Sequence, residues 1–220
     1  MSQTPKVKIC GIRKVDDLKV CVEEGADLIG INFVSSSPRL VSPKEAEILI
    51  TYLYTSVPSF LRPKIVFLFY KSSTEYIESI LKNLTHDYVQ YVSDDSLAPG
   101  ETSPLYQNKN SRIISYRVRG KVNDDSLHFL NSDLLILDSY KLGAGGGTGE
   151  SFPWDQVSEV RRPYLLAGGL TPENVAKALS QTKAYGVDVA SGVESSPGNK
   201  DQELIRKFIR NAKQFSYNGN

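Results

Sequence analysis

The chain has 220 residues, 40% hydrophobic and 23% charged, with 26 Lys plus Arg against 25 Asp plus Glu and a formal net charge of +1. A chain of this length can bury a core without staples, and its dispersed, balanced charge argues against nucleic acid or an anionic membrane as the main partner. The two cysteines, Cys10 and Cys21, have neither metal-ligand nor Cys-x-x-Cys spacing, which argues against a disulfide framework.

The N-terminus lacks the apolar run of a secretory signal, and no stretch reaches the ~18 apolar residues that span a bilayer. A reducing cytosol is the expected location. Short apolar runs at 6–10, 28–33, 64–69, 87–91, 112–118, 133–138, 164–167 and 185–190 predict eight strands. Several are almost continuously apolar, as in Ile65-Val66-Phe67-Leu68-Phe69 and Leu134-Leu135-Ile136-Leu137. Strands buried on both faces have this composition, which points to a parallel sheet covered by helices.

After the first strand, Leu18, Cys21 and Val22 form the apolar stripe of a helix, which makes Cys21 a core residue. Ser42-Pro43-Lys44-Glu45 offers an N-cap, proline at the first helical position and a capping-box glutamate, ahead of Ala46, Leu49, Ile50 and Leu53. Ser72 and Glu75 repeat the box before Ile77, Ile80, Leu81 and Leu84. The segment 93–110 is rich in Ser, Asp, Pro and Asn, so its helix is expected to be short or irregular. Thr171-Pro172 begins a helix with Val175, Ala178 and Leu179, and the last helix carries Leu204, Ile205, Phe208, Ile209 and Ala212. Eight strands and about eight helices in this length fit a single-domain (β/α)8 TIM barrel spanning residues 1–220.

In such barrels the active site lies at the C-terminal ends of the strands. Cys10 ends strand one and Asp138 ends strand six. A cysteine there is either a small buried hydrophobe or a reactive thiol. A carboxylate there is costly unless paired or open to a ligand, and otherwise serves to order a loop. Arg39, in the loop after strand two, is either a surface residue or a fork for a carboxylate. Gly168-Gly169 after strand seven and Ser191-Gly192 after strand eight fall in the two loops that form the usual phosphate cradle of this fold.

The glycine-rich run 143–149 continues into neither G-x-G-x-x-G nor a P-loop, and reads as a flap over the site, the alternative being a plain flexible loop. His86 and His128 are the only histidines, away from the strand ends, and no Cys/His cluster suggests a metal. Proton-transfer chemistry on a phosphorylated small molecule, without metal or cofactor, is the expectation.

Lys8-Ile9-Cys10-Gly11-Ile12 resembles the opening motif of the phosphoribosylanthranilate isomerase family. So do Ser37-Pro38-Arg39, Leu135-Ile136-Leu137-Asp138-Ser139 and Gly147-Thr148-Gly149 followed by Phe152-Pro153-Trp154-Asp155. Leu166-Ala167-Gly168-Gly169-Leu170-Thr171-Pro172-Glu173-Asn174 and Val187-Asp188-Val189-Ala190-Ser191-Gly192-Val193-Glu194 continue the match, as does Pro197-Gly198-Asn199-Lys200-Asp201. The resemblance runs in order over essentially the whole chain, and is nearest to the fungal monofunctional form. One departure is Val89-Gln90-Tyr91-Val92-Ser93 at strand four, where the family usually has Val-Gln-Leu-His-Gly.

The resemblance implies a cofactor-free Amadori rearrangement of N-(5-phosphoribosyl)anthranilate. In that reaction Asp138 would be the general acid and Cys10, as thiolate, the general base. Arg39 would bind the anthranilate carboxylate, and the loops around Gly169, Ser191 and Gly192 would bind the phosphate. It leaves the choice between monomer and homodimer open.

Overall fold

The computed structural model describes residues 4–92, 111–128, 130, 132–139 and 153–217. Eight strands close into a parallel barrel in chain order: β1 (Lys6–Cys10), β2 (Leu28–Asn32), β3 (Lys64–Phe69), β4 (Tyr88–Val92), β5 (Ser111–Val118), β6 (Leu134–Ser139), β7 (Tyr164–Leu166) and β8 (Gly186–Val189). β8 returns to β1 with Lys8 opposite Asp188, which seals the barrel. The apolar runs locate all eight strands to within a residue or two.

Closure divides each strand's side chains between two environments. One set, including Val7, Ile9, Ile29, Phe67, Leu135, Leu137 and Val187, packs outward against the helices. The other set fills the interior, where Leu28, Val66, Ile113, Leu134, Ile136 and Leu165 form an apolar plug. Towards the C-terminal ends the interior becomes polar: Lys8, Asn32, Gln90, Ser115, Arg117 and Asp188 are all buried. The polar ceiling over an apolar floor is what positions the site.

Among the described residues there are five α-helices, fewer than the eight expected: α1 (Val15–Glu23), α2 (Pro43–Ser56), α3 (Thr74–Asn83), α4 (Val175–Thr182) and α5 (Gln202–Gln214). Between β5 and β6 only a 3-10 turn forms, Asp125–Leu127. There Asn123 and Ser126 exchange side-chain and backbone hydrogen bonds that compete with a regular helix. Ahead of β7 a second 3-10 turn, Trp154–Val157, starts after Pro153. The expected helix in 93–110 and the flap at 143–149 lie outside the described residues.

The capping box of α2 forms as expected, with the Ser42 side chain accepting from the Glu45 amide and Glu45 accepting from the Ser42 amide. The cap of α3 is Ser73, one residue later than expected. Its hydroxyl accepts from the Tyr76 amide, whereas the Ser72 hydroxyl turns back to the Tyr70 carbonyl. Thr171-Pro172 precedes its helix as a turn closed by Asn174, so α4 itself begins at Val175. Cys21 is fully buried in the core, as its spacing requires.

Beyond β8, a 3-10 turn (Ser191–Val193) leads into a small antiparallel hairpin, β9 (Glu194–Ser196) and β10 (Asn199–Lys200). Nothing in the apolar periodicity announces this hairpin. It places Glu194 beside Lys200 at the barrel mouth.

Candidate active site

The inward alternation of β1 and β6 brings Cys10 and Asp138 to the rim of one cavity, although 128 positions separate them in sequence. Arg39, Asn32, Ser37, Gln90, Ser115, Asp188 and Ala190 line the same cavity. Cys10 is buried and sits against Val34 and Leu68. Asp138 keeps part of its surface open to the cavity, while protein encloses it closely on the other sides.

These surroundings act on both groups. Burial raises the Asp138 carboxyl to about 6, and the nearby Asp188 carboxylate adds to the rise. The Ser139 amide, 2.8 Å from an Asp138 oxygen, and the Arg117 guanidinium act in the opposite direction. Arg117 lies directly across the β5–β6 ladder from Asp138. Burial also raises the Cys10 thiol; Lys8, then Lys200 and Arg39, oppose it, while Asp188 reinforces it. Burial thus disfavours the charged form of both groups, and at Cys10 the neighbouring cations partly offset it.

Arg39 is buried, so it is not a surface residue. Its Nε and Nη2 donate to the two Glu194 oxygens at 2.7 and 2.8 Å, a fork-to-fork pair. Lys200 completes the cluster, donating to Glu194 at 3.0 Å and to the Ala190 carbonyl at 2.7 Å. Burial works to raise the Glu194 carboxyl, but Arg39 and Lys200 together hold it below its ordinary value. Two cations sharing one carboxylate leave a local excess of positive charge. The remaining N–H groups of Arg39 are those able to take an anion from the cavity.

The second half of the site is a narrow cleft beside the first, bounded by Gly168, Gly169, Leu170, Ser191 and Gly192 and sharing Asp138, Asp188 and Ala190 with it. Gly168 has φ +87°, and a Cβ there would lie 2.7 Å from the Ser139 amide nitrogen. A Cβ on Gly192 would lie 1.8 Å from the Leu170 carbonyl oxygen. Both glycines therefore allow backbone to meet backbone, one joining loop seven to the end of β6 and the other joining loops seven and eight. Asn174 holds loop seven in shape, donating to the Gly169 carbonyl at 2.9 Å and accepting from the Thr171 amide at 2.8 Å.

All seven residues singled out in the sequence thus border one continuous concavity. Four others were missed. Lys8 and Asp188, 2.9 Å apart inside the barrel, were absorbed into apolar runs. Glu194 and Lys200 were quoted only as parts of motifs. The signal was a charge inside a buried strand, which has to find a partner. Among the described residues no group of His, Cys, Asp and Glu could hold a metal ion, and no helix is long and apolar enough to cross a membrane.

A parallel eight-stranded barrel with Cys10 and Asp138 at its mouth and glycine-bearing loops after strands seven and eight has the architecture of the (β/α)8 enzymes. Within that class, the family model described as N-(5'phosphoribosyl)anthranilate (PRA) isomerase matches residues 7–211, and the chain belongs to this family. A Leptospira interrogans protein named N-(5'-phosphoribosyl)anthranilate isomerase is 50% identical over 97% of each chain. Phosphoribosyl anthranilate isomerase from Thermotoga maritima superposes with a TM-score of 0.79 at 30% identity, covering 96% of this chain and 99% of that one. Another solved relative, in complex with reduced 1-(o-carboxyphenylamino)-1-deoxyribulose 5-phosphate, gives 0.75 at 29% identity, with the same coverage of both chains.

Proposed function

We infer that the chain isomerises N-(5'-phosphoribosyl)anthranilate to 1-(2-carboxyphenylamino)-1-deoxyribulose 5-phosphate, a step of tryptophan biosynthesis. The observation that carries the reading is the shared cavity: one acid, one base, an arginine and a glycine-lined cleft border one space. The substrate has matching parts in the same order, a benzoate carboxylate, a reacting glycosylamine and a phosphate.

In this reading neutral Asp138 donates its proton to the furanose oxygen. The nitrogen lone pair forms the C1–N double bond as the C1–O bond breaks, giving a cationic open-chain Schiff base. Cys10, as thiolate, takes the C2 proton, and the electron pair left behind neutralises the cation as an enolamine. Tautomerisation removes the C2 hydroxyl proton and adds one at C1, leaving the ketone. One proton is given and one taken, so the balance closes without a redox partner. A carboxyl raised to about 6 holds its proton further into the neutral range than an ordinary aspartate does.

Arg39 would take the benzoate carboxylate through the N–H groups that Glu194 leaves free. Arg39→Ala is expected to lower kcat/KM by ~2–3 kcal/mol, roughly 30- to 150-fold. Steady-state kinetics check this, and an unchanged kcat/KM would remove Arg39 from the site. The phosphate would sit in the cleft at Gly168, Gly169, Ser191 and Gly192. Gly192→Ala is expected to push loop eight off Leu170 and raise KM at least ~10-fold, beyond any change in kcat. A KM within twofold of the parent would place the phosphate elsewhere.

The test of the activity itself is optical. Phosphoribosylanthranilate, made in situ, is fluorescent, and the purified chain should convert it in the absence of metal and cofactor. A substrate signal that decays no faster than in a protein-free control would overturn the reading.

A further inference from the structure

The buried Lys8–Asp188 pair is not explained by packing. Leu28, Val66, Ile113, Leu134, Ile136 and Leu165 form the apolar plug of the barrel interior. A buried ion pair is at best roughly equal in stability to apolar residues of the same volume. Lys8 is nonetheless fully buried and hydrogen-bonded to Asp188 at 2.9 Å, held there by a register that sets the two residues directly opposite on β1 and β8.

Orientation distinguishes this pair. Lys8 lies two residues before Cys10 on the same strand and the same inward face, so the two side chains are neighbours along the barrel interior. The Lys8 ammonium, hydrogen-bonded to Asp188, also acts electrostatically on the Cys10 thiol. Asp188 lines both the main cavity and the glycine cleft, each time together with Asp138. The cation of the pair therefore faces the base, and its anion faces the acid.

We propose that Lys8 is a positioning residue for the reaction: anchored by Asp188, its ammonium hydrogen-bonds the Cys10 sulfur and stabilises it as the thiolate that takes the C2 proton. The proposal rests on Cys10 being the base, as inferred above. The other charged groups facing Cys10 are Lys200 from β10, Arg39 from the loop after β2, and Asp188 from β8. Lys200 and Arg39 are shared with Glu194, and Lys8 is the cation that acts most strongly on the thiol. Asp188 also keeps Lys8 protonated in a place where burial alone would strip it.

The test reads the thiol directly. In a Cys21→Ala background, where Cys10 is the only cysteine, iodoacetamide alkylation is followed against pH for the parent, Lys8→Met and Lys8→Met/Asp188→Asn. The double variant removes both charges, so no lone buried ion threatens the fold. In both variants the alkylation midpoint is expected to rise by at least about one pH unit, a tenfold loss of thiolate at neutral pH. In Lys8→Met kcat should fall at least ~10-fold with KM little changed, and the deficit should shrink as pH rises through the new midpoint. A purely structural role would move neither the midpoint nor the pH profile.

An unmoved midpoint overturns the proposal, and so does a midpoint that rises without loss of kcat. If instead Cys10→Ala turned over normally, the base assignment itself would fail. The alkylation curves do not depend on turnover, so the two failures are distinguishable.

Discussion

Cys10→Ala is expected to lower kcat by at least ~10²-fold, the usual contribution of a general base, while KM stays within a few-fold. The separation of the two constants follows from the layout. In the proposed mechanism substrate is held at its ends, by Arg39 and by the glycine cleft, whereas Cys10 meets only the reacting carbon. Cys10 packs against Val34 and Leu68, so alanine leaves a small apolar gap that costs about 1 kcal/mol and spares the fold. Cys10→Ser should be nearly as inactive, because a hydroxyl of similar size ionises far less readily than a thiol. Fluorescence-monitored turnover reads both variants, and near-normal rates in Cys10→Ala would remove Cys10 from the mechanism.

Asp138→Asn is expected to lose at least ~10²-fold in kcat and also to make the protein more stable above neutral pH. Both effects come from the same raised carboxyl. In the unfolded chain an aspartate ionises near ~3.9, whereas burial holds folded Asp138 at about 6. The folded state therefore favours the neutral acid. The stability this group contributes is fully present below about 4 and is lost as pH rises through about 6. The loss amounts to as much as ~3 kcal/mol. Asparagine cannot ionise, so Tm of the variant should exceed that of the parent at pH 8, an advantage that disappears near pH 4. Equal Tm differences at the two pH values would show that Asp138 is not destabilised by its ionisation. The alkaline limb of kcat/KM that begins near 6 should belong to Asp138 and be absent from the residual activity of the variant.

Much of this site was legible because strand ends are conspicuous. Cys10 and Asp138 close apolar runs, and Gly168-Gly169 and Ser191-Gly192 occur in the loops where the fold is known to bind phosphate. Periodicity located all eight strands, because parallel strands buried on both faces are almost purely apolar. Helices were less legible where local hydrogen bonding intervened: Asn123 and Ser126 exchange bonds in place of a helix before β6, and Ser73 outcompetes Ser72 as a cap. Lys8 and Asp188 were passed over because neither ends a strand, and only the closing register of β8 on β1 pairs them. Glu194 and Lys200 depend on a hairpin that spans only residues 194–200 and has no repeating pattern to reveal it.

The polarity of the Lys8–Asp188 pair also bears on how acid and base are told apart. Two groups of ordinary ionisation lie at one rim, and burial alone raises both. An ion pair with its cation towards the sulfur and its anion towards the carboxyl resists that rise at Cys10 and adds to it at Asp138. In the proposed mechanism the pair thereby favours Cys10 as base and Asp138 as acid.

The most direct test of this account is a crystal structure of the chain bound to the reduced, open-chain product analogue. The phosphate is expected within hydrogen-bond distance of the Gly169 and Gly192 amides and the benzoate carboxylate on Arg39. Cys10 Sγ is expected within ~3–4 Å of C2, with Asp138 on the opposite side, against the oxygen that had closed the ring. An analogue bound in the reverse direction, or with C2 out of reach of Cys10, would contradict the proposed mechanism.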